Sequence, residues 1–200
     1  MTVAPFLPIL LLAGGAVLAF TVGRAVRRGG DASAATAVVV LGASFVSFIL
    51  LGGSNGSTPA YAPAGEVTLR VDGLGIFLGL VGTGLGLAVA LYSFAYMRHE
   101  RERPTYTALL LLLVAGIAGI ALAGDLFNLY VFFELMAVAS YALVAFHRER
   151  AEAVEAGMKY VIMSGTGSAI ALLGIGFVYL GAGTLDLASL STSALPRDLA

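Results

Sequence analysis

Six apolar runs of about 18 residues or more divide this chain, and that is the length a helix needs to cross the roughly 30 Å hydrocarbon core of a bilayer. They cover 5–22, 32–51, 74–97, 106–124, 126–146 and 154–181. Of the 200 residues, 59% are hydrophobic and 12% charged, and the mean hydropathy is +0.95. A soluble domain of this size could not hide so much apolar surface. The expected fold is an all-α polytopic membrane protein: one membrane domain over 1–200 with six transmembrane helices. The 26 glycines fit, because membrane helices tolerate glycine.

Charge sets the expected orientation. Arg24, Arg27 and Arg28 follow the first run instead of preceding it, so that run reads as a retained helix, not a cleaved signal, with its N-terminus outside. Arg98, Arg101 and Arg103 follow the third run, and Arg148 and Arg150 the fifth. Those three loops hold eight of the eleven basic residues. Arg70 and Arg197 belong to the opposite side, and Lys159 to no loop. This is a positive-inside asymmetry, which puts those three loops in the cytoplasm; the expected location is a prokaryotic inner (cell) membrane, as an integral protein. The loop 98–103 reads as solvated and orientation-setting.

Residues 52–72 break the pattern. Gly, Ser, Asn and Pro open this external loop, and 66–71 alternates polar and apolar residues like a short strand. Gly124 and Asp125 join the fourth and fifth runs so tightly that these helices must be antiparallel neighbours. The tail 184–200 is too polar for another span, and there is no internal repeat.

The chain has no cysteine, which excludes Cys-ligated iron–sulfur clusters, disulfides and thiolate zinc sites. Its two histidines, His99 and His147, fall in charged loops, unsuited to a buried haem. No phosphate-binding glycine loop, metal cluster or nucleophile triad is present. The expectation is therefore no cofactor, no metal, no catalytic residue and no nucleic-acid partner.

What remains is an acid and a base at membrane depth. Glu134 stands in the uncharged stretch GDLFNLYVFFELMAVASYALVAF, and Lys159 lies 25 residues on in the next apolar run. An ionisable group there costs about 2.5–3.5 kcal/mol on insertion scales, so a functional role is the default reading. At a 1.5 Å rise per residue, Glu134 should lie about 12 Å below the outer end of its helix and Lys159 roughly 10 Å in from the inner end of the next. A flexible lysine or one or two waters would then bridge them in a proton relay. The other reading is a static ion pair that fixes packing. Ser164, Thr166 and Ser168, with Gly165 and Gly167, are candidates for holding water beside the lysine or for close helix packing. Tyr130, Val131, Ala137 and Tyr141 share the face of Glu134, which makes Tyr141 a candidate donor to the carboxylate or a packing residue. Asp125, nine residues before Glu134, is either the N-cap of the fifth helix or a proton exit. The pairs Gly75/Gly79 and Gly82/Gly86 match small-residue packing and indicate no function.

The stretches GDLFNLYVFFELMAVASYALVAF and EAVEAGMKYVIMSGTGSAIALLGIGFVYLGAGTLDLASL closely resemble the proton-translocating antiporter-like subunits. That family includes the D subunits of Mrp-type Na+/H+ antiporters and the related subunits of respiratory complex I and membrane-bound hydrogenases. VDGLGIFLGL and LYSFAYM look like its third helix, the resemblance covers at least 70–190, and GDLFNLYVFFE looks closest to the Mrp D subunits. It implies that Glu134 is the glutamate of the family's half-channel and Lys159 the lysine many members carry on helix 6. It also implies about fourteen helices in two inverted repeats with broken helices, of which these six would be the N-terminal portion. The expected partners are other hydrophobic subunits of an antiporter or complex I-like assembly, membrane lipid, H+, and Na+ or K+. The expected function is a proton-translocating subunit of a monovalent cation/proton antiporter. The alternatives are a non-redox, proton-pumping subunit of an NADH-quinone oxidoreductase or hydrogenase complex, and a non-conducting structural or assembly fragment.

Overall fold

Where helices begin is decided here by caps and prolines more than by the loss of hydropathy. The computed structural model describes residues 5–26, 29–54, 60–64, 67–98, 100 and 102–192. Its long helices are α1 (Leu7–Ala25), α2 (Gly29–Ser54), α3 (Gly73–Tyr96), α4 (Arg103–Leu122), α5 (Leu126–Val144) and α6 (Ala151–Ala182). All six are long and apolar enough to span. Pro8 and Pro104 sit in the first turns of α1 and α4, where the missing N–H costs nothing. Asp72 caps α3 by accepting from the Gly75 N–H at 2.8 Å. Gly183, at φ 69°, closes α6 in the left-handed conformation that suits glycine. Because charged residues can continue a helix past its apolar stretch, α4 and α6 each start three residues before the hydropathy edge.

Between α2 and α3, β1 (Ala60–Ala64) and β2 (Val67–Val71) pair antiparallel, from Ala60 opposite Val71 to Ala64 opposite Val67. The expected strand 66–71 is therefore present over 67–71 with a partner strand; Glu66 and residues 55–59 lie outside the described ones. The Gly124 N–H donates to the Thr68 carbonyl at 2.9 Å, which docks the hairpin on the α4–α5 joint. A six-residue helix, α7 (Leu187–Thr192), follows α6 and is too short to span.

α4 is the central post. It packs on α1, α2, α3 and α5, and 56% of its apolar span is buried, against 11% for α5 and 6% for α6. Leu111 and Leu122 of α4 meet Leu12, Leu41, Phe48 and Leu69 in one apolar core. α3 presents its glycines to that core: a Cβ on Gly82 would stand 2.6 Å from Ile117, and one on Gly86 2.7 Å from Val114. The small-residue spacing of α3 is thus a packing face.

The loop read as solvated is only partly so. Arg98, Glu100 and Glu102 are exposed, and His99 and Arg101 lie outside the described residues. Arg103, however, is 2% exposed. As the first residue of α4 it donates to Asp31 at 2.6 Å and to the Phe94 carbonyl at 2.8 Å, with its guanidinium over the Phe94 ring. A charge so placed ties α2, α3 and α4 together, and its partners are 72 and nine residues away, beyond the reach of a local sequence reading.

Candidate functional site

Glycine brings α5 close to α4 and so aims Glu134. A Cβ on Gly116 would meet the backbone of Met136, and one on Gly119 would meet the Phe132 ring. Residues 132 and 136 are one turn apart and face α4. Residue 134, two positions from each, is rotated about 200° away from that seam. It therefore faces α6, which runs back along α5. Near the arginine-rich end the two helices close over Gly157, where a Cβ would lie 2.7 Å from that of Ala145.

At mid-depth the buried Ser168 hydroxyl donates to Oε1 of Glu134, and the Tyr130 hydroxyl lies 3.0 Å from Ser168 Oγ. A serine hydroxyl has one proton. If it goes to the carboxylate, Tyr130 must donate to serine, so the chain runs Tyr130 to Ser168 to Glu134. Tyr130 is the residue that sequence reasoning passed over as a site, although its position one turn before Glu134 was the available signal. Tyr141 does not join this chain; its ring packs edge-on against Tyr160 at 6.1 Å.

Lys159 stands elsewhere. Nine residues separate it from Ser168, or two and a half helical turns, so it projects from the opposite face of α6. Taking Gly157 opposite Ala145 as the register, it lies about 13 Å from the level of Glu134, nearer the arginine-rich end. It is 73% exposed and pairs with Glu155 at 2.5 Å. The direct bridge expected between Glu134 and Lys159 is not formed, because helical phase puts them on two sides of one helix. Among the described residues no ion pair reaches Glu134.

The hydroxyls of α6 divide in the same way. Ser164 and Ser168 share the α5 side. Thr166 is in phase with Lys159 and bonds back to the Ile162 carbonyl of its own helix at 2.8 Å. Gly165 and Gly167 open onto free space, so they serve no packing against another described helix. Among the described residues no cluster of acids and histidines could hold a metal.

Asp125 takes its capping role. Oδ1 accepts from the Asn128 N–H at 2.7 Å, and Oδ2 from the Thr68 hydroxyl at 2.9 Å and from the Asn128 side chain. On either side of it, Leu126 N–H donates to the Leu185 carbonyl and Leu187 N–H to the Gly124 carbonyl, each at 3.0 Å. The α4–α5 joint is thereby stitched both to the hairpin and to the end of α6. Burial opposes the Asp125 charge, yet the hydrogen bonds from Asn128 and Thr68 outweigh it and hold the carboxyl below its ordinary value of 3.8. A folded value below the unfolded one stabilises the fold at neutral pH, and that contribution is lost as pH falls from about 3.8 through the lower folded value. Asp125→Asn should lower the thermal midpoint in detergent at pH 7, and the gap from wild type should shrink as the pH is brought below 4. A gap independent of pH would rule out the carboxylate as its source.

Two family models match the chain: NADH:quinone oxidoreductase/Mrp antiporter, TM, over residues 123–198, and NADH-ubiquinone oxidoreductase (complex I), chain 5 N-terminus, over 64–107. The chain is 42% identical over 92 residues to the Na(+)/H(+) antiporter D subunit of Bacillus subtilis, covering 46% of this chain and 18% of that protein. It is 34% identical over 173 residues to the NADH-quinone oxidoreductase N subunit of Desulforudis audaxviator, covering 84% of this chain and 34% of that one. Among solved structures, a chain of an archaeal respiratory membrane complex, the membrane-bound sulfane sulfur reductase, superposes with a TM-score of 0.86 at 28% identity, covering 97% of this chain and 40% of that one. These alignments span well under half the length of each relative.

Proposed function

The chain belongs to the antiporter-like membrane subunits shared by NADH:quinone oxidoreductases and Mrp antiporters, and on that premise we propose that it moves protons within a monovalent cation/proton antiporter, with Glu134 as the group that holds them. The observation that carries this reading is the hydroxyl chain at Glu134: a carboxyl at mid-membrane, held by Ser168, which Tyr130 holds in turn, instead of by a fixed cation. A static structural pair would neutralise it, whereas hydroxyls can both give and take a proton.

Lys159 enters the proposed relay from the far face of α6, together with Thr166. A lysine directed at lipid is costly, so this face is where we place a further helix, from the same protein or a partner subunit, that completes the path. The preferred cation is Na+ or K+, and the assembly sits in a prokaryotic cell membrane. The long alignment to an oxidoreductase N subunit supports a second reading, a proton pump powered by redox chemistry on other subunits.

The test is proton movement in everted vesicles carrying the intact assembly. Release of an imposed pH gradient by Na+ or K+ identifies the antiporter, acidification on adding an electron donor identifies the pump, and neither leaves a non-conducting structural protein. Ser168→Ala removes a hydrogen bond to an ionisable group, worth about 1.5 kcal/mol, and should slow the flux about tenfold, while Ser168→Thr, which keeps the hydroxyl, should restore most of it. Full flux in Ser168→Ala would remove the hydroxyl chain from the path.

A further inference from the structure

α1 and α5 both pack on α4 but not closely on each other, which leaves a cleft of about 610 Å³ at the arginine-rich end of the bundle. Its rim carries Arg24, Glu102, Arg148 and Glu149; Phe20 and Leu109 line it deeper in. Along α4 the wall passes from Glu102 to Leu109 in seven residues, about 10 Å. That is a change from charged to apolar over the distance at which a bilayer passes from headgroup to acyl chain. The cleft belongs to no part of the Glu134 site.

Its charges are balanced, two guanidiniums and two carboxylates, and they are loosely engaged. Arg24 meets Glu102 at 3.7 Å with the side chains 61% and 64% exposed, a kind of pair that contributes little by itself. Among the described residues, Arg148 and Glu149 make no ion pair. Arg24 also lies over the Phe20 ring at 4.7 Å, so its charge stands where the apolar lining begins.

We propose that this cleft holds a zwitterionic phospholipid with a primary amine, its phosphate on Arg24 and Arg148, its ammonium on Glu102 and Glu149, and an acyl chain along Phe20 and Leu109. Charge complementarity selects this occupant. An anionic lipid would satisfy the arginines but leave two carboxylates facing its negative charge. A quaternary ammonium has no N–H to donate to them. The inference is independent of the transport reading and survives or fails separately.

The experiment is native mass spectrometry of the full assembly, stripped of lipid in detergent and reloaded with phosphatidylethanolamine, phosphatidylglycerol or phosphatidylcholine. Phosphatidylethanolamine should be retained about tenfold better than the other two, as expected for charge-assisted hydrogen bonds. The double variant Arg24→Gln/Arg148→Gln should lose that retention about tenfold, and Glu102→Gln/Glu149→Gln should erase the preference over phosphatidylglycerol. Arg98→Gln, exposed and outside the cleft, should change neither. Equal retention of the three lipids by the wild type would overturn the proposal without any variant. So would unchanged retention in the arginine pair, or a delipidated assembly that takes up no lipid because another protein segment covers the cleft.

Discussion

Glu134→Gln is expected to cut proton flux by about a hundredfold, the scale on which a positioned proton carrier contributes, while leaving the amount of assembled complex unchanged. Glutamine keeps the shape of the side chain, and its carbonyl can still accept from Ser168, so the α5–α6 contact survives. What it loses is the ability to take up and release a proton. Flux in everted vesicles, normalised to the amount of this protein in the purified complex, separates the outcomes. Unchanged flux would end the role assigned to Glu134. Loss of assembly with residual flux in proportion would make the carboxylate a packing group.

Gly116→Val should do the reverse, reducing assembled protein severalfold and flux only in proportion. A Cβ there would lie 2.7 Å from the Met136 backbone nitrogen and 2.9 Å from its Cα, atoms that cannot rotate away. Two helices would have to separate, and overpacking of this kind costs about 1–3 kcal/mol. Gly14→Ala is the matched control, because nothing lies within 4 Å of a Cβ at that position. Pulse-labelled protein recovered in the complex is the measurement, and equal recovery of Gly116→Val and Gly14→Ala would show that α4 and α5 are not held so close.

The spans were legible because bilayer thickness imposes a length on any crossing helix, and 126–146 or 154–181 cannot be read otherwise. Glu134 was legible for the same reason, as a charge where charges are expensive. Its surroundings were not. Placing Ser168 against it requires the register of two helices 34 residues apart in sequence, and that register depends on close approaches such as Gly157 on Ala145. Lys159 shows the opposite failure: depth along a helix can be counted, but the expected bridge ignored rotation, and two and a half turns from Ser168 put the lysine behind α6. Arg103 was misjudged because a run of charged residues reads as a wet loop until Asp31, from a distant segment, arrives beside it. Asp125 was readable as a cap because capping is local, and its tie to Thr68 was not, because the hairpin returns from another part of the chain.

The serine between Glu134 and Tyr130 has a further consequence. A row of hydroxyls holds one sense of direction at a time, since every proton in it is offered the same way. As oriented, with Tyr130 donating to Ser168 and Ser168 to Glu134, the row can pass a proton only toward Glu134; each hydroxyl ends that event pointing backward, and the next proton finds the row closed. Both hydroxyls must rotate before another can pass, and Ser168, buried between α6 and α5, has little room to turn. On the proposed path the pair would work as a turnstile: one passage, one reset, with the rotation of a hydroxyl marking time for the carboxylate.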